Sequence, residues 1–216
     1  MTMSSPVSDT PATGGTRSSR DTHRTRLLLA ARSLLRERAY GKITARDLVA
    51  ASNTNLGSIS YHFGSKEALL NEAIGLALEE WTETIGRTIR ANTGAGAMGL
   101  MASSLSLVLD EQESILPYYN AFIEALARSA RSPELRAQLA AHYNRQRERI
   151  AGWIEQSMPD TLSAMQSRHL ASLLLATADG MLVQAFVDAD DTPTSAELAS
   201  AFGSAFAGSS RQPAEQ

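Results

Sequence analysis

The stretch NLGSISYHFGSKEALL, from Asn55 to Leu70, gathers the groups in this chain best suited to chemistry. Three readings fit the mix. A serine beside a histidine could be a nucleophile with its base. Glycines with a serine and a lysine could cradle a phosphate. A helix showing hydroxyls, a phenol and an imidazole could touch a nucleic acid. Spacing separates them. Ser60 and His62 are two apart and point away from each other on a helix, so no hydrogen bond joins them. Ser58 and His62 are four apart and could meet, but no local acid orients the imidazole. Gly57 and Gly64 stand too far apart for a phosphate loop, and Ser65 precedes Lys66 where that loop needs it to follow. No catalytic residue is therefore assigned.

The third reading survives projection onto a helix. With Leu56 as origin and about 100° per residue, Ile59 and Phe63 share one face, with Leu56 at its edge. Gly57, Ser58, Tyr61 and His62 form the opposite face, and Ser60 flanks it. That face offers close approach, hydrogen bonding and stacking to a nucleic-acid groove.

The elements that must hold this face are helices. Good helix formers dominate and strand-like alternation is hard to find. A first helix is expected over about 24–38, burying Leu27, Leu28, Ala31, Leu34 and Leu35. Thr44 caps a second, with Asp47 able to reach back. Asn53 ends it, since Asn tolerates left-handed backbone. Asn55 caps a third helix that stops at Gly64, and Ser65 caps a long fourth. NTGAGAMG, from Asn92, reads as a break. Further helices are expected at about 98–112, 116–130, 132–156, 161–187 and 195–207, with Pro117 tolerable only in a first turn. Ser132 and Pro133 suit a cap and first position. TSAE at Thr194–Glu197 reads as a capping box. The fold class is all-α, about nine helices. Residues 1–22 are polar and expected to be a disordered basic tail, 209–216 a frayed one.

Two short helices joined by a tight polar turn, with a helix before them, make a helix-turn-helix. The run RLLLAARSLLRERAYGKITARDLVAASNTNLGSISYHFGSKEALL resembles the DNA-binding region of the TetR family of bacterial transcriptional regulators. The resemblance covers roughly 24–75, and GSISYHFGSKEALL is its most specific part. Ala39 replaces a usual glycine, and Asn53-Thr54 a usual Gly-Val. It implies a helix-turn-helix domain over 23–70 and a larger ligand-binding and dimerisation domain over 71–208. It places Thr44, Ala45 and Arg46 near the DNA backbone, with Arg46 able to reach a base edge. Leu56, Gly57, Ser58, Ser60 and Tyr61 become groove-facing residues, and His62 and Lys66 phosphate clamps. Arg17, Arg20, Arg24 and Arg26 could form an arm along the DNA. A solvated tail is the alternative.

Charge agrees with a DNA-binding end. The chain carries −3 overall, but residues 1–66 hold ten Lys or Arg against four acids, and the remainder is −9. There are no cysteines, so disulfides and thiolate metal sites are excluded. No metal cluster or cofactor is expected. His142 and His169 stand isolated, each suited to surface or satisfied core. No apolar run of about 18 residues predicts a membrane span, and no signal peptide precedes the first helix. The expected location is the cytoplasm.

In the C-terminal part, LLLATADGMLVQAF is apolar on nearly every side and must be covered on both faces. One cover is its own domain and the other a partner subunit, as the family resemblance implies. Leu170, Leu174, Ala178, Met181 and Leu182 are the expected interface, completed by Leu198, Phe202 and Phe206 of the last helix. Expected contacts to a small apolar or amphipathic effector are Trp81, Met101, Tyr119, Phe122, Tyr143, Trp153 and Gln184, although each could be ordinary core. The expected function is a homodimeric repressor, released by that effector from a double-stranded, near-palindromic operator. The alternatives are an activator or partner-controlled regulator, or a helical ligand-binding or enzymatic protein that does not use its DNA module.

Overall fold

A computed structural model describes residues 15–91, 96–159, 161–194, 196–198, 200–201 and 204. Among them the chain is all-α: α1 (Gly15–Glu37), a 3-10 turn (Tyr40–Lys42), α2 (Ala45–Ser52), α3 (Leu56–Phe63), α4 (Lys66–Ala91), α5 (Gly96–Asp110), α6 (Gln112–Ser129), α7 (Pro133–Ser157) and α8 (Ala164–Val187).

The small N-terminal unit forms because its short helices are stopped where the sequence says. Thr44 caps α2: its Oγ1 accepts from the Asp47 amide at 3.2 Å, and the Asp47 carboxylate accepts from the Thr44 amide at 2.8 Å. Such a box contributes about 1 kcal/mol. Asn53 ends α2 in the left-handed region, φ 48° and ψ 52°. The Asn55 side chain accepts from the Ser58 amide at 3.0 Å and starts α3. Gly64, φ 79°, separates α3 from α4, and Ser65 Oγ accepts from the Ala68 amide at 3.0 Å. Leu27, Leu35, Tyr40, Ile43, Leu48, Leu69 and Leu70 close the core between these helices.

Three boundaries differ from expectation. α1 begins at Gly15, so the tail expected over 1–22 is helical from 15 onward. Once a helix is nucleated, each further residue adds a hydrogen bond, and a polar stretch can extend it without a buried face. Residues 1–14 and 205–216 lie outside the described residues. Pro117 was expected in a first turn, but α6 starts at Gln112 and carries Pro117 inside it. The domain boundary expected at 70/71 falls within α4, a continuous helix that packs on α1 at one end and on α5, α6 and α7 beyond.

In the larger unit α5, α6 and α7 pack on the rest of α4, and α8 packs on α7, α5 and α6. One close approach needs a glycine: a Cβ on Gly86 would sit 2.5 Å from the Trp153 ring. α8 is long and apolar enough by composition to cross a membrane. It is packed against α7, α5 and α6, with Ala171, Leu174, Ala178, Met181, Leu182 and Ala185 buried.

Candidate nucleic-acid interface and ligand cavity

α3 shows its polar face to solvent. Leu56, Gly57, Ser60 and Tyr61 are exposed, Leu56 by 52% and Tyr61 by 68%. Ile59 is buried and Phe63 packs on the core. Thr44 and Arg46 are exposed at the start of α2, and Ala45 packs partly against the core. Ser58 does not join the exposed face. It is buried, and its Oγ donates to Asn55 Oδ1 at 3.3 Å. Its place one turn above the cap draws the short side chain into the turn, so the helical projection misplaced it.

Two expected clamps are already engaged. Lys66 Nζ donates to the Ile43 carbonyl at 3.0 Å and lies 3.3 Å from Glu67 Oε1. It ties the approach to α2 onto the start of α4, so binding a phosphate would mean sharing these partners. His62 is half-buried, edge-on to Tyr61 at 4.9 Å and to Phe63 at 6.2 Å. Arg24 and Arg26 do not form a loose arm. Arg24 pairs with Glu72 and lies 5.4 Å over the Phe63 ring. Arg26 donates to the Asn53 carbonyl at 2.7 Å and holds the turn between α2 and α3. The side chains of Arg17 and Arg20 lie outside the described residues.

A second site sits in the larger unit. A cavity of about 30 Å³ is lined by Trp81, Tyr119, Phe122 and Tyr143 among mostly apolar residues of α4, α5, α6, α7 and α8. That is room for one or two water molecules. An open groove of about 530 Å³ between α4 and α7 shares Leu78, Phe122 and His142 with it. Four of the seven expected ligand residues meet here. Met101 and Trp153 are buried elsewhere in the core, and Gln184 is exposed on α8. These three were chosen by residue type, which does not report the direction a helix turns a side chain.

The polar members of the cavity were not all anticipated. Tyr143 donates to Asp179 Oδ2 at 2.6 Å, and Tyr119 donates to the Asp179 backbone carbonyl at 3.0 Å. Burial pushes the Asp179 carboxyl above its usual range, and the tyrosine hydroxyls partly offset this. Burial also raises both phenols. His142 is buried rather than on the surface, with Nε2 2.8 Å from Gln146 and Nδ1 3.7 Å from Glu79. Burial lowers its pKa, so the neutral ring is favoured. An acid in the middle of an apolar helix was the signal in the sequence.

α8 turns most of the residues expected at the dimer interface inward. Leu174, Ala178, Met181 and Leu182 are buried inside the subunit, three of them against the cavity, and Leu170 is partly buried on its core. The exposed side carries Met165, Leu173, Ala176, Val183 and Val187 at helical spacing, with Phe186 beside it. Both sides are apolar, so hydropathy could not say which faced the core. Leu198 packs on the core, and the Thr194–Glu197 capping box is formed. Phe202 and Phe206 lie outside the described residues.

The description of bacterial regulatory proteins of the tetR family matches residues 27–73, and that of the C-terminal part of BetI-type transcriptional repressors matches 104–207. The chain belongs to the TetR family. No curated protein matches it. Among solved structures it is similar to Salmonella enterica GusR, 23% identical over 84% of this chain and 94% of that one, TM-score 0.59. It is also similar to a transcriptional regulator from Rhodococcus sp. RHA1, 16% identical over 85% and 94%, TM-score 0.64. A third is a regulator from Saccharomonospora viridis solved with choline, 21% identical over 87% and 96%, TM-score 0.58. This TetR-family chain is thus a DNA-binding transcriptional regulator, with the exposed face of α3 on its helix-turn-helix.

Proposed function

We propose that the protein is a homodimeric repressor, released from a near-palindromic operator by a small molecule held in the C-terminal cavity. The observation that carries this reading is α6. Its Tyr119 and Phe122 line the cavity. Elsewhere on the same helix, Glu124 accepts from the Gly41 amide at 3.1 Å, Arg128 lies 5.2 Å over the Tyr40 ring, and Tyr118 donates to the Arg32 carbonyl at 3.4 Å. A shift of α6 forced by a ligand would therefore be felt at the DNA-binding unit.

In this reading two α3 helices enter successive major grooves, about 34–36 Å apart. Leu56, Gly57, Ser60, Tyr61 and Arg46 meet base edges or the groove floor. Thr44, Ala45, His62 and Lys66 meet the backbone. The apolar outer stripe of α8, with the last helix, forms the dimer contact. An effector has to open the small cavity, and it releases DNA by favouring a dimer geometry with the wrong spacing. Emptying a mostly occupied operator requires a difference of a few kcal/mol between the two states. The choline held by the Saccharomonospora viridis relative supports a small-molecule effector for this fold. The protein acts in the cytoplasm, where its operator lies.

Selection from random DNA with the purified protein tests the reading. A palindrome should be enriched, and its copy should lie near this gene in the host genome. Absence of any enriched palindrome would sink the repressor. Increased transcription on binding would make it an activator.

A further inference from the structure

We propose that Arg26 and Thr54 are positioning residues for DNA reading: they fix the angle at which α3 is presented and do not touch the DNA themselves. The inference rests on α3 being the reading helix and on nothing about an effector. Asn53, Thr54 and Asn55 join α2 to α3, and each is tied to a different helix. From α1, Arg26 donates to the Asn53 carbonyl at 2.7 Å. Among the described residues Asn53 is the one non-glycine residue with left-handed backbone, φ 48°. The Thr54 and Ser52 hydroxyl oxygens lie 2.7 Å apart, and Ser52 Oγ lies 2.7 Å from the Leu48 carbonyl. Ser52 has one hydroxyl proton and that carbonyl only accepts, so Thr54 donates to Ser52 and Ser52 donates to α2. Ser52 is 4% exposed, so water does not replace this chain of hydroxyls. Asn55 reaches forward and accepts from the Ser58 amide of α3 at 3.0 Å.

Packing alone gives α3 a weak hold. It has eight residues; Ile59 is buried and Phe63 packs on the core, while Leu56 and Tyr61 face solvent. Eight residues span about 12 Å, so a tilt of about 10° at the turn moves the far end by about 2 Å. A hydrogen bond to a base edge is lost over such a distance. Long cationic side chains on phosphates can follow the shift, and phosphate contacts carry no sequence information. The two ties to the turn therefore govern discrimination between sequences more than affinity for DNA as such.

The test is fluorescence anisotropy of the full-length protein on two duplexes across a salt series. One is the duplex that selection from random DNA enriches, the other a scrambled copy of it. Thr54→Val exchanges the hydroxyl for a methyl at constant charge, and Thr54→Ser keeps the hydroxyl. Thr54→Val should lower the preference for the selected duplex by about five- to tenfold. Binding to the scrambled duplex and the salt slope should stay unchanged, and Thr54→Ser should retain the preference. Arg26→Gln should lose the preference in the same way, and Arg26→Lys should recover most of it. A phosphate contact by Arg26 would instead weaken both duplexes alike and flatten the salt slope by about 1. Equal weakening of both duplexes overturns the role of the residue concerned, as does lower stability in urea with an unchanged preference. The Thr54 pair decides even if an Arg26 variant fails to fold. Tyr61→Ala, on the exposed face of α3, separates this inference from the reading beneath it. If Tyr61→Ala lowers the preference while Thr54→Val and Arg26→Gln do not, only the positioning role falls. If Tyr61→Ala leaves it intact, or the unmutated protein does not tell the duplexes apart, α3 is not the reading helix and the proposal falls with it.

Discussion

At the scale of single residues, two serines two positions apart have different fates. Ser60 is exposed on α3, and Ser58 is spent beside the Asn55 cap. Ser60→Ala is expected to change base preference at one position of each half-site, by about 1–3 kcal/mol if its contact is to a base edge. Ser58→Ala should leave base preference unchanged. Binding to a panel of single-base operator variants separates the two, and the reverse pattern would return Ser58 to the reading face. Gly86 supports a second prediction. Its Cβ would meet the Trp153 ring, so Gly86→Ala should lower stability by about 1–3 kcal/mol in urea unfolding. His142 supports a third. Its folded pKa lies below the unfolded value of about 6.5, so on acidification the unfolded chain takes up the proton first. Its contribution is intact above about pH 6.5 and is lost as pH falls toward the lower folded pKa. Replacing His142 with Gln should flatten that part of the stability curve, and an unchanged curve would place the titration elsewhere.

At the scale of elements, α8 has two apolar sides, one buried in the subunit and one exposed. Leu174 is buried in the subunit, whereas Leu173 is 52% and Val187 76% exposed. Leu173→Glu with Val187→Glu should leave the subunit folded but dissociate the dimer, as sedimentation at micromolar concentration would report. Leu174→Ala should instead lower stability by about 2–5 kcal/mol through the void it leaves. A dimer that survives the double change would move the interface off this stripe. The helices themselves were legible early. Caps at Thr44, Asn55, Ser65 and Ser132, and the left-handed end at Asn53, are local chemistry and appear where the sequence placed them. The start of α1 and the interior position of Pro117 were not, because a nucleated helix can run on through a polar stretch and α6 starts behind Glu111 without a side-chain cap.

At the scale of the whole molecule, α6 touches both the cavity and the N-terminal unit. The double change Glu124→Ala and Arg128→Ala removes the hydrogen bond to Gly41 and the cation over Tyr40. It should loosen the N-terminal helices by about 1–3 kcal/mol. Amide exchange should quicken in α2 and α3 and stay unchanged around the cavity. Equal protection in both units would take α6 out of this role.

What the sequence determined by itself was local and periodic. Capping residues, turn residues and helical spacing specified an all-α chain with a helix-turn-helix, and the run from Asn55 to Leu70 carried the family resemblance. Those signals act over a few residues, so a single chain displays them. Which side of α8 faces inward, where Ser58 points, and that Asp179 meets Tyr119 and Tyr143 were decided only by tertiary structure. Each depends on groups far apart in sequence meeting across helices, and an apolar or polar label on one residue does not record its partner.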